Sequence, residues 1–182
     1  MITNIFRYKG ATTAIFAAAA GTAAFFVISG SANRTRTVRK ILLTGVALSA
    51  LAAIEIVAEK WGTTAFSGGT SVALTRTPLD SAYPEAQTDG LVLRYTVAPT
   101  EGTLVGTVGA KLVLGKSTTV VEGAEFASVE LDFTDPAFDL PTRPSGLQLH
   151  GVIESLSLAF GTTPGSAVNM MIEVEWTEGA GG

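Results

Sequence analysis

Hydrophobic and polar positions divide this chain into two textures. From Ala11 to Ile28, and again from Ile41 to Ala58, apolar and small residues follow one another with Glu55 as the only charge. Runs of this length stand at the threshold at which a helix spans a hydrocarbon core. The pattern predicts helices over about 11–28 and 41–58, antiparallel and joined by a polar loop over 29–40. Small residues in the first run, among them Ala17, Ala20, Gly21 and Ala24, form a stripe that would let a neighbouring helix approach closely. A cleavable leader fits the pattern less directly than a bilayer hairpin does, and composition alone does not separate that hairpin from a helix pair buried in a protein assembly.

Beyond Trp61 the pattern has period two. Val, Leu and Thr alternate with small or polar residues, which predicts strands over Ser71–Thr77, Leu91–Ala98, Thr103–Leu114, Ser117–Val121, Phe126–Phe133, Leu147–Phe160 and Ala167–Trp176. Turn chemistry separates them at Thr88-Asp89-Gly90, Pro99–Gly102, Thr134-Asp135-Pro136 and Thr163-Pro164-Gly165. In Ala127–Phe133, Val129, Leu131 and Phe133 share one face while Ser128, Glu130 and Asp132 share the other, as in a half-buried strand. The fold class expected is therefore membrane-anchored α + all-β. Residues 1–60 form a transmembrane helical hairpin, 61–70 a Gly/Thr/Ser linker, 71–178 an antiparallel, jelly-roll-like β-sandwich, and 179–182 a Gly-rich tail.

Composition and charge support that division. The chain has 182 residues, 47% of them hydrophobic and only 15% charged, which is greasy for its size. Residues 1–60 carry seven basic residues against two acidic, net +5, and the remainder five against fourteen, net −9. Four of the cations, Arg34, Arg36, Arg39 and Lys40, lie in the loop between the apolar runs. The positive-inside rule puts that loop on the inner side and the β domain on the outer side. There the cations would meet anionic lipid headgroups, or the phosphates of an enclosed nucleic acid.

Chemistry is sparse. No cysteine is present and His150 is the only histidine, so thiol chemistry and a conventional Ser-His-Asp triad have little to draw on. Asp132, Asp135 and Asp139 form a weak calcium candidate whose spacing fits no EF-hand loop. Glu130, Asp132, Glu154, Glu173 and Glu175 read as the wet faces of strands, with nothing to select a catalytic pair. Trp61, Tyr83, Tyr95 and Trp176 are scattered through the sequence. No catalytic residue, cofactor or small-molecule substrate is expected. The function expected is that of a structural, membrane-associated assembly protein, such as a virion protein of a membrane-containing phage or virus, with the bilayer and copies of itself or other coat proteins as partners. The alternative is a bacterial envelope protein whose outward domain binds a glycan, peptide or protein.

Overall fold

A computed structural model describes residues 5–19, 21–48, 52–62, 64–84, 86, 88–117, 127–135, 145–164 and 167–180. These residues form thirteen strands in chain order: β1 (Phe6–Ala11), β2 (Phe16–Ala17), β3 (Phe26–Ser29), β4 (Arg34–Leu48), β5 (Ala52–Trp61), β6 (Thr70–Ala73), β7 (Thr75–Pro78), β8 (Val92–Val97), β9 (Leu104–Ser117), β10 (Ala127–Asp132), β11 (Leu147–Leu149), β12 (Ser155–Phe160) and β13 (Asn169–Ala180). Among the described residues there is no helix, and so none long and apolar enough to cross a membrane. The expected N-terminal transmembrane helical hairpin is overturned, while the expected β-sandwich is compatible with what is observed.

Two antiparallel sheets make up the structure. The first runs β7-β1-β13-β4, with β10 and β11 both on the far side of β4 and β2 continuing along β13. The second runs β6-β8-β3-β12-β5-β9. A two-residue parallel contact, Ala47 and Leu48 of β4 beside Lys116 and Ser117 of β9, joins the two. Four antiparallel pairs are nested about one midpoint: β5 with β9, β4 with β10, β3 with β12 and β1 with β13. Rolling that long folded ribbon sets β13 beside β4 and β12 beside β5. The first sixty residues therefore share both sheets with the later strands.

The apolar runs have a different cause from the one expected. All four residues of β3 and all six of β12 are buried. A strand covered on both faces reads as a continuous apolar run, and over so short a stretch the run does not distinguish a buried strand from a buried helix. The second run does alternate: Ile54, Ile56 and Ala58 are buried, while Glu55 between them is exposed. The first run is broken instead of continuous, since Gly21 takes a φ of 91° that helical residues do not adopt.

Aromatic residues anchor the interior. Tyr8 stacks on Trp176 at 5.8 Å, and Phe25 lies 4.7 Å from Phe160. On one side of the sandwich the chain closes the gap itself: β6 belongs to the second sheet, β7 to the first, and Leu74 between them is buried. On the other side, β9 and β10 leave a shallow cleft of about 290 Å³. That open side is guarded against strand addition. Register shifts in the β5–β9 ladder leave Val105 and Val108 as extra residues, and Lys111 pairs with the core residue Ile56, which puts a charge on the inward side of an edge strand. Bulges and inward charges both discourage edge-to-edge pairing.

Candidate functional site

The most concentrated polar chemistry lies at a corner built by β4 and β13. The segment Arg34–Val38 has period two, and Arg36 and Val38 are both fully buried. Arg36 Nε donates to Glu178 Oε1 at 3.0 Å, and its Nη1 donates to the Ser29 carbonyl at 2.9 Å. Trp176 Nε1 donates to the same Oε1 at 3.1 Å, while Arg34 Nη1 reaches Oε2 at 3.4 Å. Both members of the Arg36–Glu178 pair are completely buried. Charges taken from water in this way persist only when their remaining hydrogen-bonding capacity is met, and the corner meets it.

The loop before β8 packs onto this pair. Asp89 Oδ2 accepts from the Ala32 amide at 2.7 Å and from the Ser31 hydroxyl at 3.1 Å. Burial pushes the Asp89 carboxyl up; the Ala32 amide, the Ser31 hydroxyl and the Arg36 charge outweigh that and hold it below its ordinary range. Arg76 Nη2 donates to the Gly90 carbonyl at 2.8 Å, and its own pKa is lowered by burial and by the Arg36 charge. Gly90 is required here because a Cβ would run into the Gly30 carbonyl oxygen and stand 2.5 Å from Arg36 Nη1.

A second arrangement covers the outer face of the second sheet. Residues 64–70, with Gly62, run beside residues 97–103 across it as a strap: the Gly62 amide donates to the Thr103 carbonyl at 3.0 Å, and Ser67 and Thr100 exchange bonds of 3.1 and 2.7 Å. Beneath the strap, Phe66 meets the Trp61 ring edge-on at 5.3 Å, and Trp61 Nε1 donates to Ser157 Oγ at 2.8 Å. Glu101 on the strap accepts from the Ala24 amide at 2.7 Å. Glu59, in register with Ser157 and Thr107, lies in the same layer. Burial raises the Glu59 pKa, and the Glu101 charge raises it further.

The residues singled out from the sequence are dispersed. Arg36 is wholly buried and Arg39 nearly so. Arg39 is the extra residue of a bulge opposite Glu175 and Trp176. Its Nη1 donates to the Ser145 carbonyl at 3.4 Å. Lys40 lies on the outer face of the first sheet, 3.1 Å from Glu130, and that hydrogen bond raises its pKa. Lys9–Glu173 at 2.6 Å adds to the same charged face. Of the residues assigned to helix packing, Ala17 belongs to β2, Gly21 to a bend and Ala24 to the approach to β3, whereas Ala20 lies outside the described residues. With no helix there, their stripe has no helical face to form.

Asp132 accepts from the Thr134 hydroxyl and amide at 2.6 and 2.8 Å, contacts that lower its pKa. Asp135 donates its amide to Ser145 Oγ at 3.0 Å. Asp139 lies outside the described residues. Among those described, no group of three or more His, Cys, Asp or Glu side chains is placed to hold a metal. His150 Nδ1 stands 3.3 Å from the Thr35 hydroxyl, and its amide donates to Glu154 at 2.9 Å. Glu154 also pairs with Lys60 at 3.4 Å.

Sequence reasoning missed the corner. Its one legible signal was the alternation Arg34-Thr35-Arg36-Thr37-Val38, which has the period of a strand and not of a loop. Comparison with protein families, with curated proteins and with solved structures finds no match to this chain.

Proposed function

We propose that this chain is a structural protein that works by packing into a larger assembly, as a coat subunit of a virus particle does. The observation that carries the reading is the nested order β1:β13, β3:β12, β4:β10, β5:β9, which has the connectivity of a jelly roll. Jelly rolls serve in viral capsids, lectins and cupins, and fold alone does not choose among these. The interior favours the first. Among the described residues it is filled by aliphatic and aromatic side chains from Tyr8 to Trp176, with Arg36 and Glu178 bonded to each other, a packing that suits a solid core better than a ligand-holding barrel.

The guarded β9 edge directs assembly towards other surfaces. At one end of the sandwich, large apolar side chains are exposed at Leu104, Val105, Val152 and Ile153. Neighbours in an assembly would cover such residues. Light scattering of the full-length protein, together with electron microscopy of its native material, tests the reading. Regular multimers containing the chain support it. A monomer at every concentration that binds a glycan or turns over a substrate overturns it.

A further inference from the structure

The edges of the two sheets are not alike. The β9 edge carries its bulges and the inward Lys111. At the β7 edge, the Leu79 amide donates to the Arg7 carbonyl at 3.0 Å, so the alternation leaves the backbone of Pro78 and Arg76 facing outward, and proline has no amide to give. β6, the opposite edge of the second sheet from β9, has no such guard. From Gly62 to Thr75 the sequence holds neither charge nor proline, and all four residues of β6 are exposed. The register shift beside it places the extra residue, Thr96, on β8 and not on β6.

The directions of the backbone groups on β6 follow from its neighbours. Tyr95 of β8 turns both of its groups away from β6: its amide donates to the Phe25 carbonyl at 2.7 Å, and its carbonyl accepts from the Ala19 amide at 2.9 Å. The Leu74 amide donates to the Val92 carbonyl at 3.0 Å. Backbone groups alternate in direction along an antiparallel strand. Val72, opposite Arg94, therefore points its amide and carbonyl at β8, while Ser71 and Ala73, opposite Tyr95 and Leu93, point theirs outward. Those outward groups have no partner among the described residues. They lie symmetrically about Val72, whose side chain is 48% exposed.

We propose that β6 pairs antiparallel with β6 of a second copy about a twofold axis at Val72, which joins the second sheets of the two copies edge to edge. In this register Ser71 of each copy lies opposite Ala73 of the other, and each such pair exchanges its amide and carbonyl bonds. Val72 meets its own counterpart at a non-hydrogen-bonded position, with the Cα atoms about 4.5 Å apart and the side chains on one face. The strand is thus its own complement, as a twofold contact requires. So short a ladder makes a weak contact, which suits a subunit held by several neighbours at once. The inference rests on the assembly reading above and names one of its contacts.

The chain has no cysteine, so Val72→Cys in the full-length protein is a single-site probe, and the Cα spacing of the pair admits a disulfide between copies. Under mild oxidation it should give a covalent dimer about tenfold faster than Val105→Cys, although Val105, on the guarded β9 edge, is the more exposed of the two. Two further variants read the association itself by light scattering. Val72→Lys sets like charges directly opposite each other, and Ala73→Pro removes an outward amide without removing a bond to β8. Each should raise the concentration of half-association by about tenfold. Equal cross-linking at the two cysteine sites, or association unchanged in both variants, overturns the β6 pairing while regular multimers leave the assembly reading standing. A monomer at every concentration overturns both.

Discussion

At the corner, Glu178 and Asp89 are met by guanidinium, indole and amide donors; beneath the strap, Glu59 is met by Glu101. Both regions use carboxylates to fasten a loop onto a sheet, yet they fasten it with opposite signs. Asp89 is held below its ordinary value and Glu59 above. The contribution of Asp89 is therefore present above its unfolded value of 3.8 and lost as pH falls through the lowered one. The contribution of Glu59 is present in acid and lost on the way up. The difference teaches how the surroundings set the sign: amide and hydroxyl donors with a guanidinium hold the exposed Asp89 below its ordinary value, whereas burial, with a second acid nearby, holds Glu59 above it.

The largest effect should come from breaking the corner. Glu178→Ala leaves Arg36 buried without its main partner and should cost about 3–5 kcal/mol of unfolding free energy, measured by denaturant titration. Replacing Arg36 and Glu178 together by Met and Leu should cost far less. Equal losses in the single and double variants would show that the pair is not coupled. Gly90→Ala should come next, at about 1–3 kcal/mol, because the added methyl meets the Gly30 carbonyl and Arg36. A neutral result there would mean that the loop before β8 is not clamped.

A pH comparison sharpens the contrast without changing the stability much. Exchange protection at the Ala32 amide, which donates to Asp89, should weaken in acid below about pH 4, while the strands around Glu59, whose pKa is raised, should not weaken over the same range. Parallel behaviour of the two would erase the distinction. The smallest effect is expected at Ser155, which lies between the two regions, paired with Ser29 on one side and Trp61 on the other. Its hydroxyl is buried and has no hydrogen-bond partner among the described residues. Ser155→Ala should leave stability unchanged or raise it by up to about 1 kcal/mol. A loss beyond that would reveal a partner.

Legibility in the sequence tracked whether a strand has a wet face. The runs predicted beyond residue 70 correspond to β6 and β7, β8, β9, β10, β11 with β12, and β13, because most of them alternate. The strand expected over Ser117–Val121 falls almost wholly outside the described residues. The first sixty residues were misread where alternation is hidden. All four residues of β3 are buried, so no exposed position marks its period. The cations of 34–40 were read as a loop because charge suggests solvent, whereas Arg36 is neutralised by a residue 142 positions away. No local pattern announces such a partner. The bulge at Arg39, which moves the inward phase from Val38 to Ile41 and Leu43, is equally silent in sequence.

The placement of β13 has a consequence for how the chain is made. Among the described strands it comes last in chain order, yet it lies between β1 and β4 in its sheet. Until residues 169–180 leave the ribosome, β1 and β4 present unpaired backbone to each other and to any neighbouring chain, with the loop between β1 and β13 still to be closed. A nascent or C-terminally clipped chain thus lacks the central stave of one sheet and exposes two sticky edges. Loss of even this short piece should turn a well-sealed sandwich into an aggregating one.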